Sequence, residues 1–111
     1  MPDGVRRFDL FAILAVTLSP KIILHAPVSD EALLVDFVER CLRDGVSLIA
    51  ILGPDSERLE DVIDDLVVGD GSIPGRFLVT MAQGDDPIDE TMELVRSWDS
   101  ELGGGVEDVR L

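Results

Sequence analysis

The fold class is indicated most clearly by residues 46–69 (VSLIAILGPDSERLEDVIDDLVVG). In this stretch a continuous apolar run ends in a turn, and an amphipathic helix follows directly. The run at 46–52 lacks polar/apolar alternation, which is typical of a parallel strand covered by helices on both faces. Gly53 and Pro54 end the run, and Asp55 or Ser56 can cap the helix that follows. This stretch therefore predicts the first half of a β-α-β unit.

Two further units repeat this plan on either side. Residues 21–26 predict a strand, followed by a helix capped at Ser29 that runs to about Asp44. Residues 76–83 predict another strand, followed by a helix with Asp86 as its N-cap and Pro87 at its first position. Residues 106–111 predict a short final strand. The apolar residues expected to face the core from the three helices are Leu34, Phe37, Val38, Cys41 and Leu42; Leu59, Val62, Ile63, Leu66 and Val67; and Ile88, Met92, Leu94, Val95 and Trp98.

The order β-α-β-α-β-α-β predicts an α/β fold with right-handed crossovers. We expect a small Rossmann-like or flavodoxin-like three-layer sandwich, with a mostly parallel sheet of four to five strands. With 111 residues, the chain is expected to form a single α/β domain over 1–111.

Residues 1–20 are expected to form an additional strand or an arm that covers a neighbouring subunit. A short packed helix is the other alternative. Residues 11–16 could form a hairpin with the next strand, which would give the sheet one antiparallel edge. Asp3 and Asp9, the short apolar core and the lack of a small-residue cleavage site argue against a secretory signal. The apolar stretch is also too short to cross a membrane as a helix.

The charge balance narrows the set of partners. Nine basic and 23 acidic residues give a formal net charge of −14. A surface this negative repels phosphate backbones and anionic lipids, so we expect neither nucleic acid nor membrane as a partner. It suits a cationic partner or a divalent metal. The single cysteine, Cys41, lies on an apolar helix stripe and is expected to fill the core. A chain without a disulfide pair fits a reducing compartment, which predicts a cytoplasmic location.

Ligands of open α/β sheets bind at the carboxyl ends of the strands, so the candidate site residues lie in the loops that follow each strand. His25, Ser29, Ser56 and Gln83 form the predicted ligand edge. No G-x-G-x-x-G or P-loop pattern occurs there, and acids at the helix starts would repel phosphate. No catalytic set and no cofactor is predicted. The alternative is a divalent-metal site formed by Asp30, Asp55, Asp85 and Asp86, because Mg²⁺ prefers carboxylate oxygens.

The stretch I-P-G-R-F at 73–77 and the helix start D-D-P-I-D-E at 85–90 carry a resemblance. Over residues 21–98 the chain resembles an uncharacterised bacterial family of small α/β proteins, known only as a domain of unknown function. It departs from that family where aromatic residues are expected, at 81–83 (MAQ) and 92–94 (MEL). The resemblance implies the α/β fold and no catalytic residue.

Two functions follow from these observations. The first is a non-catalytic binding or regulatory module that acts through a protein partner or as a homodimer, because no complete catalytic set is present and the apolar N-terminal stretch needs a cover. The second is a small metal-assisted enzyme or small-molecule-binding domain that uses the acidic residues at the carboxyl edge of the sheet.

Overall fold

The computed structural model describes residues 17–69, 78–98 and 105–111, together with the backbone of residues 5–7. The strands are β1 (Val5–Arg7), β2 (Lys21–His25), β3 (Leu48–Leu52), β4 (Val79–Gly84) and β5 (Val106–Arg110). The helices are α1 (Glu31–Asp44), α2 (Ser56–Val68) and α3 (Ile88–Ser97). The predicted alternation of strands and helices is confirmed. Strands β2 and β5 begin at the predicted residues, while β3 begins two residues and β4 three residues later than expected.

The five strands form one sheet in the order β1-β5-β2-β3-β4, and all four pairings are parallel. When β2 is counted as the first strand, the spatial order β4-β3-β2-β5 reads 3-2-1-4. This is the order in the first part of a dinucleotide-binding sheet. The Rossmann-like α/β class is therefore confirmed. The strand order reverses between β2 and β5. After β2 the chain adds β3 and β4 on one side of β2, and then places β5 on the other side. Such a switch point is where open α/β sheets commonly bind ligands.

Two cores lie on opposite faces of the sheet, as a three-layer sandwich requires. On one face α1 and α2 bury Phe37, Cys41 and Ile63 against Ile22 and Ile49. On the other face α3 buries Val95 against Ile23, Leu48 and Ala50. Strands β2 and β3 contribute to both cores, which explains their continuous apolar sequences.

The additional strand expected in the N-terminal part of the chain is present. The structure places a strand at Val5–Arg7 and pairs it in parallel with β5, from Val5 opposite Asp108 to Arg7 opposite Arg110. An additional N-terminal strand is thus present, but the described residues contain no antiparallel edge. The proposed hairpin at 11–16 lies outside the described residues.

Several helix details also differ from the predictions. Asp30, rather than Ser29, caps α1, since its Oδ1 accepts a hydrogen bond from the Ala32 amide at 2.9 Å. In α3 the predicted inward residues Ile88 and Leu94 are exposed, and Thr91 is buried instead. Because α3 has no helical neighbour on its face among the described elements, only a narrow stripe of it meets the sheet. None of the described helices has the length and apolarity needed to cross a bilayer.

Candidate functional site

The carboxyl ends of β2, β3 and β4 are joined by short backbone contacts. The Ala26 amide donates to the Leu52 carbonyl at 2.7 Å, and the Gly53 amide donates to the Gly84 carbonyl at 2.7 Å. Gly53 has a φ of 106°, a conformation that favours glycine. The loop that follows β3 is therefore held between its two neighbours, and this fixes the floor of the carboxyl edge.

Two adjoining open depressions, of about 320 and 360 Å³, lie between the loops that follow β3 and β4. They share Ser56, Glu57 and Gly84. The remaining lining residues are Gly53, Pro54, Asp55, Arg58 and Asp85 in the first, and Glu60, Ala82 and Gln83 in the second. Both depressions are concave but exposed, which suits a partner's side chain better than an enclosed small molecule.

Gln83 reaches the second depression because of a β-bulge. The register passes from Ile51 opposite Ala82 to Leu52 opposite Gly84, so Gln83 is the extra residue. Bulges commonly re-aim a side chain next to functional sites. The structure thus brings together two of the four predicted ligand-edge residues, Ser56 and Gln83.

Ser56 has a different role from the one predicted. Its side chain is buried, and its Oγ accepts a hydrogen bond from the Gly84 amide at 3.0 Å. Asp55 occupies the cap position of α2 in a left-handed conformation, φ 64°, and its side chain makes no capping hydrogen bond. Asp55 therefore stands at the expected N-cap position without the expected hydrogen bond, while Ser56 connects the start of α2 to the end of β4.

Carboxylates dominate the charge around the depressions. Asp55, Glu57, Glu60 and Asp85 line them, and we call these four residues with their two depressions the acidic edge. Arg58 is the one basic residue in the linings. Its Nη1 donates to Glu31 Oε2 at 2.7 Å, and its Nε lies 3.6 Å from Asp55 Oδ2. The hydrogen bond to Glu31 raises the pKa of the Arg58 guanidinium. The acidic edge therefore retains an excess of negative charge.

The pKa of Glu60 is affected both by its burial and by the neighbouring negative charges. Partial burial, followed by repulsion from Asp64, raises the pKa of the Glu60 carboxyl above its ordinary value. Asp61 and Glu57 raise it further, while a hydrogen bond from the Ala82 backbone amide opposes the shift. A positive group placed here would stabilise the ionised form of Glu60.

His25 lies at the switch point between β2 and β5. Its Nε2 is 3.3 Å from Asp108 Oδ1, and the two side chains are 11% and 17% exposed. His25 is not among the residues that line the two depressions. Ser29 is exposed, and its amide donates to the Leu111 carbonyl at 3.3 Å. His25 and Ser29 therefore lie near the carboxyl ends of β2 and β5 and line neither depression.

The four candidate metal ligands are not gathered into one set. Asp30 caps α1, Asp55 and Asp85 line the first depression, and Asp86 is exposed outside it. Across residues 17–69, 78–98 and 105–111, no group of three or more His, Cys, Asp or Glu side chains is arranged to hold a metal ion. A metal site at this edge therefore stays a prediction, and the positions of these four carboxylates do not support it.

Cys41 is fully buried in the core of α1 and α2. Burial, and then the nearby Asp44 and Glu107 carboxylates, raise the pKa of its thiol far above the ordinary value. The thiol therefore stays protonated and is unsuited to nucleophilic chemistry.

Sequence reasoning did not identify Glu57, Arg58, Glu60 or Asp108 as site residues. The signal for Asp108 was available, since three of the five β5 residues (VEDVR) are charged although the strand lies inside the sheet. Charges inside a parallel sheet indicate that partners exist elsewhere in the chain.

Comparisons with known proteins identify a family but no activity. The family described as Domain of unknown function (DUF7684) matches residues 14–99. The expected resemblance to a domain of unknown function is thereby confirmed. No curated protein and no solved structure matches the chain.

Proposed function

The chain belongs to the DUF7684 family, a domain of unknown function, and we propose that it is a non-catalytic binding module that takes a basic segment of a partner protein on its acidic edge. The proposal includes a cytoplasmic location, which the lone, buried Cys41 supports.

The observation that carries the proposal is the convergence of four carboxylates on two open depressions whose single basic residue already pairs with Glu31. Lysine and arginine side chains are long enough to reach such a surface and to form hydrogen-bonded ion pairs there. Partial burial and then repulsion from neighbouring carboxylates raise the pKa of the Glu60 carboxyl, and a cationic side chain would offset that repulsion. Electrostatic complementarity of this kind gives specificity and fast association.

Charge also decides which partner is favoured. A second copy of the chain carries the same net charge of −14, and a nucleic acid is more negative still. Both would be repelled by the acidic edge. A basic protein segment is attracted, and the attraction weakens as salt screens it.

The test measures binding of fluorescein-labelled octalysine to the full chain by fluorescence anisotropy at several salt concentrations. The variant carries Glu57→Gln with Asp85→Asn, which removes two carboxylates from the acidic edge. Two surface ion pairs contribute up to about 1 kcal/mol each, so we expect about tenfold weaker binding.

The matched control carries Asp36→Asn with Glu93→Gln. Both residues are exposed on other helices, and the control removes the same two charges from the net −14. Its affinity should change less than about twofold. Equal losses of octalysine affinity in the two variants would mean that binding depends only on net charge, and the proposed binding site would be wrong.

Two alternatives are resolved by the same titration. Spermine that binds as tightly as octalysine, with the same sensitivity to the variant, would replace the protein partner by a small amine. Saturable Mg²⁺ binding below millimolar, lost on Asp85→Asn, would favour the metal-assisted alternative.

A further inference from the structure

The outer side of β4 is the surface from which the inference starts. Among the described strands, β4 is the last one on its side of the sheet. The Val79 amide donates to the Ser47 carbonyl at 3.0 Å, towards β3. Backbone groups alternate in direction along a strand, so the N–H and C=O groups of Thr80 and Ala82 point to the outer side.

Two acids of α2 cover this outer side. The Ala82 amide faces the Glu60 carboxylate closely enough to oppose the rise in the pKa of that carboxyl. The Thr80 hydroxyl donates to Asp64 Oδ1 at 2.6 Å. Charged side chains at an edge strand discourage pairing with other strands. Here the cover consists of side chains on a neighbouring helix, and a competing hydrogen-bonding group can replace them.

We propose that the basic segment binds as an added strand along the outer side of β4, with its backbone pairing to Thr80 and Ala82 and its basic side chains pairing with Glu60 and Asp64. The inference rests on the proposed function and specifies how the partner is held. Strand addition is an established mode of peptide recognition, in which backbone hydrogen bonds supply affinity and alternate side chains supply specificity.

Charge complementarity selects this occupant over a second copy of the chain. Two copies paired through β4 would bring Glu60 and Asp64 close to the same carboxylates of the other copy, and like charges across a strand pair are destabilising. Alternating lysine and β-branched residues avoid that repulsion. Such a segment extends readily and places every second side chain towards the same face.

The test compares two labelled peptides on the full chain by fluorescence anisotropy. One is Lys-Val-Lys-Val-Lys-Val-Lys, and its twin has the same sequence with every backbone amide N-methylated. The twin keeps the charges but has no backbone donor. We expect the first peptide to bind at least about tenfold more tightly. An acidic peptide with Glu in place of Lys should not bind.

Amide hydrogen exchange gives the second measurement. Saturation with the unmethylated peptide should slow exchange at Thr80 and Ala82 by at least about tenfold, while amides of α1 stay unchanged. Equal binding of the two twins without this protection would overturn strand addition and leave the proposed function standing. Absence of binding by either twin, together with absence of octalysine binding, would overturn both.

Discussion

A Cβ atom at position 53 would lie 2.7 Å from the carbonyl oxygen of Ala26, so the backbone of the loop after β3 meets the end of β2 at a distance that excludes any side chain. Gly53 also has a φ of 106°. Closeness and conformation therefore require glycine at this position, and both act where the strand ends converge.

Gly53→Ala should destabilise the protein by about 2 kcal/mol or more, because left-handed strain alone costs about 1–3 kcal/mol and the Ala26 carbonyl must also move. Urea denaturation at neutral pH measures the loss. Displacement of this loop should also distort the first depression, which Gly53 lines, and weaken octalysine binding.

Gly45→Ala is the matched control. Gly45 ends α1 with a φ of 79°, and a Cβ there meets no atom within 4 Å. It should cost only the conformational penalty, about 1 kcal/mol. A Gly53→Ala protein as stable as Gly45→Ala would show that the contact with Ala26 does not constrain the loop.

Thr91→Val should raise the free energy of unfolding by about 1 kcal/mol. Thr91 is 1% exposed, and its Oγ1 has no hydrogen-bond partner within the part of the chain that the structure describes. A buried hydroxyl without a partner costs about 1–3 kcal/mol, and valine keeps the shape without that cost. Thermal or urea unfolding gives the difference.

Thr91→Ser keeps the hydroxyl and loses a methyl group, so it should destabilise by about 1 kcal/mol. The two variants therefore change stability in opposite directions. A Thr91→Val protein that is clearly less stable than the wild type would assign the hydroxyl a hydrogen bond in the native state.

How far the fold can be predicted depends on whether the stabilising contacts are local. Helical spacing correctly predicted Phe37 and Ile63 as core residues. The prediction succeeds for α1 and α2 because both helices pack against the sheet and against each other, so that a wide face of each is buried. The same spacing misplaced Ile88 and Leu94, which are exposed on α3. A periodic pattern shows which residues share a helix face, but it does not show how wide a stripe the neighbours cover.

Strand order was beyond prediction for a related reason. Glu107 is 7% exposed inside the sheet, and its Oε1 accepts the Ser19 amide at 2.9 Å across 88 positions of sequence. Asp108 is similarly paired with His25. These long-range partners allow a charged strand to lie between β1 and β2, where a local pattern would place an apolar one.

The candidate site was predictable in position but not in detail. Carboxyl-edge topology led to Ser56 and Gln83, which do line one depression. The bulge that places Gln83 and the hydrogen bond from Gly84 to Ser56 depend on the pairing of β3 with β4. That pairing is a tertiary contact that no local motif records.

The raised pKa of Glu60 determines how this residue affects stability as pH changes. Burial and the neighbouring carboxylates disfavour its ionised form in the folded protein. Relative to the unfolded chain, Glu60 therefore contributes stability below its ordinary pKa and loses that contribution as pH rises through its folded value. At neutral pH its charge reduces the free energy of unfolding.

Glu60→Gln should accordingly be more stable than the wild type at pH 7, and the advantage should shrink as pH falls towards the ordinary carboxyl pKa. The glutamine oxygen can still accept the hydrogen bond from the Ala82 amide. Urea unfolding at both pH values measures the change. Glu93→Gln, which removes an exposed charge on α3, corrects for net charge. If Glu60→Gln gains no more than Glu93→Gln at pH 7, burial and repulsion of the Glu60 carboxylate do not reduce the free energy of unfolding.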